Sequence, residues 1–207
     1  MVSCEDTYFL GDWVLCNSQD TLSIEKTGET YKCVWKINRE SFQNEYIGIG
    51  ILVDNQLFVS RFLKQASKGG IGIYRAIGDL RSNSALWAST QNFDTLGSGI
   101  AYRKDTSKNF EGNYKVRYFM KGKESPVYDL NILKNNKSDI YSLNWSINEE
   151  LKLHGVGITD NRQMILAWGE VEFEYEVVIL KIEDKGKLNA KCVLINSGIS
   201  EENYTKC

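Results

Sequence analysis

The chain has 207 residues, of which 42% are hydrophobic and 12% aromatic, enough to bury a core and too apolar for a disordered segment. A formal net charge of -2 and a sequence pI near 5.6 exclude the clustered basic surface that nucleic acids need. No apolar run approaches the roughly 18–20 residues of a membrane span.

One proline, Pro126, stands beside 17 glycines, where average proline usage is about 5%. That balance suits long ladders joined by tight turns. The N-terminus, Met1-Val2-Ser3-Cys4-Glu5-Asp6, has no basic n-region and no apolar h-region, so it reads as having no signal peptide. The cysteines, Cys4, Cys16, Cys33, Cys192 and Cys207, are odd in number and lack Cys-x-x-Cys spacing. They read as reduced thiols rather than as disulfides or zinc ligands, which places the protein in the cytoplasm.

Period-2 alternation dominates from the start and predicts strands. The first two cover 8–16 and 21–26. In the next, Tyr31, Cys33, Trp35 and Ile37 share one face. Then Ile47, Ile49 and Ile51 alternate with Gly48 and Gly50, a pattern that suits close approach by another backbone or a bulky side chain. Asp54-Asn55 lies between two apolar runs and predicts a hairpin turn. A short helix fits 62–68. Further strands cover 71–77, 85–89, 98–103, 114–120 and 128–133. Tyr141, Leu143, Trp145 and Ile147 then share a face, and His154, Val156 and Ile158 alternate with Gly155 and Gly157. Last come a run of alternating acids, Glu170, Glu172, Glu174 and Glu176, read as an edge strand with a charged outer face, and strands at 175–182 and 188–195.

The second half of this series repeats the first. Trp35-Lys36-Ile37-Asn38 returns as Trp145-Ser146-Ile147-Asn148, Gly48-Ile49-Gly50-Ile51 as Gly155-Val156-Gly157-Ile158, and Phe9 to Trp13 as Phe110 to Tyr114. Such a repeat points to duplication of one supersecondary unit. The fold class is all-β, an antiparallel barrel formed by two tandem related repeats, 8–104 and 109–205, with pseudo-two-fold symmetry. A single barrel is favoured because short strands in a lone half leave unpaired edges. Two small barrels in tandem are the alternative.

Phe9-Leu10-Gly11-Asp12-Trp13 resembles the Gly-x-Trp strand that opens lipocalin-like, or calycin-like, barrels. The repeated units also resemble uncharacterised bacterial β-repeat proteins. The lipocalin resemblance implies a cup in which Trp13 packs under the closed end, and the binding of a small hydrophobic molecule.

The motifs of phosphate-binding loops, nucleophile elbows and zinc proteases are absent. Gly48-Ile49-Gly50 lacks the third glycine and the helix of a dinucleotide fingerprint. No cofactor and no metal are expected. His154, the single histidine, is the candidate general base or ligand partner. The repeats differ at Ile47 against His154 and at Arg61 against Trp168, and Trp87 also breaks the repeat. Arg61, Trp87, His154 and Trp168 are therefore the candidate ligand-binding residues. An arginine on the apolar face of a strand needs a partner, either a ligand anion or a nearby Asp or Glu. The expected function is binding of a small hydrophobic ligand in an aromatic-lined cavity, with no nucleic-acid and no membrane partner. The alternatives are a cyclase or isomerase on the same barrel, with His154 moving a proton, and an inhibitor-like or immunity-like protein whose acidic run meets a protein partner.

Overall fold

The computed structural model describes residues 6–39, 42–66, 68–77, 82–103, 109–135, 138–160 and 162–207. Cys4, the junction residues 104–108 and the turn residue Asn161 lie outside the described residues. After a single helical turn, α1 (Asp6–Phe9), the first strands are β1 (Gly11–Leu15), β2 (Thr21–Thr27), β3 (Thr30–Arg39), β4 (Phe42–Val53) and β5 (Gln56–Leu63). Next come β6 (Gly69–Ile77), β7 (Ser82–Ser89), β8 (Asn92–Tyr102), β9 (Gly112–Met120), β10 (Lys123–Glu124) and β11 (Tyr128–Lys134). The series ends with β12 (Ile140–Ile147), β13 (Glu150–Asp160), β14 (Gln163–Gly169), β15 (Glu176–Asp184), β16 (Lys187–Leu194) and β17 (Gly198–Lys206).

The fold is all-β and antiparallel, as the alternation requires. The strands close into two eight-stranded barrels, which corrects the expectation of one. The first has the order β1-β17-β16-β15-β5-β4-β3-β2. The second has the order β9-β11-β12-β13-β14-β6-β7-β8, closed by pairing of β8 with β9, and the short β10 extends it beside β9. Eight strands leave an interior that side chains can fill, whereas a sixteen-stranded ring would enclose an aqueous channel.

The barrels do not follow the halves of the sequence. Residues 69–169 form the second barrel as one continuous up-and-down meander, which interrupts the first between β5 and β15. Each barrel thus takes strands from both halves, so the arrangement is not tandem either. The segment 62–68, expected to be a helix, is the end of β5 and the connection to β6, with a turn in which Ala66 N–H donates to the Leu63 carbonyl. The acidic run is mostly a connection: residues 170–175 join the barrels, and only Glu176 enters a strand. The polar β17, unforeseen in the sequence, closes the first barrel against β1 and β16.

Local chemistry fits this course. Asp54 and Asn55 both adopt positive φ, 49° and 61°, the geometry of the two-residue turn that matches strand twist. Gly48 and Gly155 face the barrel interiors beneath Trp35 and Trp145. A Cβ on Gly48 would lie 2.9 Å from the Trp35 ring and 2.6 Å from the Ser60 carbonyl, and one on Gly155 would lie 2.3 Å from the Ala167 carbonyl. The isoleucines beside these glycines point the other way, into a third core between the barrels. There Ile49, Ile51, Phe58 and Phe62 of the first barrel meet Ile71, Ile73, Val156, Ile158 and Ile165 of the second. Strands such as β14, buried from Met164 to Gly169, are covered on both faces and read as continuous apolar runs for that reason.

The connections cross at Tyr175. Its hydroxyl donates to the Lys68 carbonyl and accepts from Glu170 N–H, both at 2.8 Å. The β2–β3 hairpin adds a second bridge, with Thr27 Oγ1 donating to the Phe93 carbonyl at 2.8 Å.

A candidate ligand cavity in the second barrel

Strand pairing superimposes the interiors of the two barrels. Arg61 pairs with Glu176 and Val59 with Val178 in the first barrel, and Trp168 with Gly70 and Leu166 with Gly72 in the second. Around each ring Cys192 then matches Trp87, Ala190 matches Ala85, and Glu202 matches Gly99.

One end of each barrel is closed in the same way. Trp13 Nε1–H donates to the Phe9 carbonyl at 3.0 Å, and Tyr114 OH donates to the Phe110 carbonyl at 2.9 Å. Lys206 lies over the Trp13 ring at 5.4 Å, and Arg103 over the Tyr114 ring at 5.1 Å. Above Tyr114, Asn83 is fully buried, with neither amide atom partnered among the described residues. The matching residue of the first barrel is Leu188.

The other ends differ. In the first barrel Arg61 fills the mouth. Its Nε donates to Glu176 Oε2 at 2.7 Å, and Nη1 and Nη2 donate to the two carboxylate oxygens of Glu202 at 2.9 and 3.0 Å. The guanidinium also lies 5.3 Å from the Trp35 ring centre, and Tyr204 OH donates to Glu202 Oε2. Burial works to raise the Glu202 carboxyl, but the Arg61 guanidinium overrides it and holds that group below the ordinary carboxylate range. Burial pushes the Cys192 thiol beside it well up, away from the reactive thiolate.

In the second barrel Trp168, Gly70 and Gly99 stand where Arg61, Glu176 and Glu202 stand in the first, and the mouth is open. A cavity of about 380 Å³ enters it, within the roughly 300–1,000 Å³ range of small-molecule sites. Trp87, Trp145, Trp168, Tyr74, Tyr118 and Tyr128 form its aromatic wall. Trp87 stands edge-on to Trp168 at 6.2 Å and to Tyr118 at 5.7 Å. Gly70 and Gly97 allow this. A Cβ on Gly70 would fall 2.4 Å from the Trp168 ring, and one on Gly97 would fall 2.3 Å from the Trp87 ring.

The wall carries a short polar chain. Trp145 Nε1–H donates to Tyr118 OH at 2.7 Å, and the Tyr118 and Tyr74 hydroxyls bond to each other. These two bonds use the indole hydrogen and one phenolic hydrogen. The other phenolic hydrogen meets no acceptor among the described residues, so the pair of tyrosines in the wall keeps one O–H donor to spare. Burial pushes both phenols above their ordinary range and keeps them protonated.

Of the four residues singled out from the sequence, Trp87 and Trp168 meet in this cavity. Arg61 lies in the other barrel, held by carboxylates of its own chain. His154 faces out of the second barrel toward the crossing. There its Nε2 is 2.5 Å from the Phe173 carbonyl and its ring is edge-on to Tyr175 at 5.6 Å. Tyr74, Tyr118 and Tyr128 escaped the sequence reading, because a tyrosine on the inner face of a strand looks like any core aromatic. Among the described residues no three His, Cys, Asp or Glu side chains group as a metal site, and no helix is long and apolar enough to cross a membrane. Comparison with known proteins finds no matching family model, no similar curated protein and no similar solved structure.

Proposed function

We propose that the protein binds a small, largely apolar molecule in the open end of the second barrel. The cavity of about 380 Å³ walled by three tryptophans and three tyrosines carries this reading. Sites of this kind pair an apolar wall with a few placed polar groups, and the free phenolic hydrogen of the Tyr74–Tyr118 pair is one such group. The two barrels support the reading by contrast. They share the closing contacts at one end and the Trp-on-Gly packing, and they part at the other end, where one is plugged by Arg61 and the other opens beside Trp168. We take the halves to be copies of one unit, of which one interior became structural and the other a binding site. An eight-stranded up-and-down barrel is also the architecture of lipocalin-like cups; the Gly11–Trp13 strand that carries that resemblance lies in the first barrel, and its counterpart in the second is the Gly112–Tyr114 strand.

Native mass spectrometry of protein purified without denaturation tests the proposal. A non-covalent mass excess, or saturable binding of the neutral apolar dye N-phenyl-1-naphthylamine that Trp168→Ala weakens, is the expected result. A clean apo mass together with no dye response would remove the ligand role.

A further inference from the structure

We propose that the ligand is an organic anion. Its apolar body lies among Trp87, Trp145 and Trp168, and its carboxylate, phosphate or sulfonate sits at the mouth near Lys68 and Lys123. This rests on the reading of the cavity as a ligand site.

The charges that line the cavity are Lys68, Lys121, Lys123 and Glu124. Lys121 is committed to Asp94, 3.1 Å away. Glu124 is committed to Arg117, which is not part of the cavity wall. Lys68 and Lys123 remain, and neither has a carboxylate partner among the described residues. The Lys68 ammonium lies 5.9 Å from the centre of the Trp168 ring, so one cation stands at the edge of the aromatic wall itself. Cations beside a low-dielectric wall concentrate their field in the opening.

The balance of charge decides between ligand classes. Aromatic walls alone would suit a quaternary ammonium, but two uncompensated ammonium groups at the entrance repel one. A neutral ligand gains no ion-pair attraction from them. An anion gains from both, and its apolar part gains from the wall. The first barrel makes the contrast: its mouth cation, Arg61, is answered by two internal carboxylates, Glu176 and Glu202, whereas Lys68 and Lys123 at the second mouth are left unanswered by any carboxylate among the described residues.

The test titrates two fluorescent probes with one ring system: neutral N-phenyl-1-naphthylamine, and 1-anilinonaphthalene-8-sulfonate, which adds a sulfonate. Both are expected to bind and to displace each other, with the sulfonate probe about fivefold to tenfold tighter at low salt, as two partly exposed ion pairs allow. The double variant Lys68→Gln, Lys123→Gln should lose that advantage, its affinity for the sulfonate probe falling to that for the neutral one. Added salt should erase the same advantage in the wild type. Equal affinity for the two probes, or an advantage that survives the double variant, overturns the anion assignment and leaves the cavity as a ligand site. Binding of neither probe overturns the cavity reading, and the anion assignment falls with it.

Discussion

Arg61 and Trp168 occupy the same position in the two barrels, each on the inner face near the end of its strand, and each decides whether that barrel is shut or open. Arg61 faces Glu176 across its strand pair, and Trp168 faces Gly70 across the matching pair. A carboxylate opposite an arginine makes a plug. A glycine opposite a tryptophan leaves room for the indole ring, and the mouth beside it stays open.

The plug should be costly to break and sensitive to acid. Glu202→Gln leaves the buried Arg61 with Glu176 alone and should lower stability by about 3 kcal/mol in urea unfolding. Because Arg61 holds the Glu202 carboxyl below its unfolded value of about 4.3, the contribution is complete above that value and is lost as pH falls through the lowered folded value. Wild-type stability should therefore drop on acidification across this window, and the variant should drop less. Parallel acid profiles for the two proteins would contradict this account of the network.

Trp168 and His154 separate cavity from crossing. Trp168→Ala removes part of the wall and should weaken N-phenyl-1-naphthylamine binding about tenfold. His154→Ala should leave dye affinity within about twofold and cost about 1 kcal/mol of stability through the lost bond to the Phe173 carbonyl. A His154 variant that loses dye binding as severely as the Trp168 variant would tie the histidine to the site.

Asn83 is the place where the second barrel is less well built than the first. Its side chain is buried and unpartnered, and the matching residue is Leu188. Asn83→Leu should stabilise the protein by about 1–2 kcal/mol, since it removes an unsatisfied buried amide. Thermal unfolding of the variant checks this, and an unchanged or lower midpoint would mean that the amide has an ordered partner such as water.

Tyr118 should matter at high pH. Burial raises its folded value and that of Tyr74 above the unfolded value of about 10. Their contribution is complete below about pH 10 and is lost as pH rises through the folded values, because unfolding releases protons there. Tyr118→Phe should flatten the alkaline fall in stability by about one proton. At neutral pH it should cost about 1–3 kcal/mol, because it strands the Trp145 indole N–H. Urea unfolding across this range measures both effects.

The sequence alone determined most of the strands, the likeness between the two halves and the positions at which they differ. Alternation is local, so Tyr31 to Ile37 and Tyr141 to Ile147 declare an inner and an outer face without reference to anything distant. Trp87 and Trp168 were legible as cavity residues because they break the repeat. The partners of Arg61 were not legible: Glu176 and Glu202 lie 115 and 141 residues away, and Glu176 read as part of a charged surface run. Polar residues at 198–206 gave no sign that they close a barrel, since a strand held by its edges needs little apolar surface of its own. Only the tertiary structure decided that β5 pairs with β15 and β14 with β6, making two barrels from strands of both halves. Both faces of these strands are apolar, so pattern alone could not say which face turned toward a barrel interior and which toward the other barrel. His154 was the consequence: its apolar neighbours Val156 and Ile158 belong to the core between the barrels, not to the cavity.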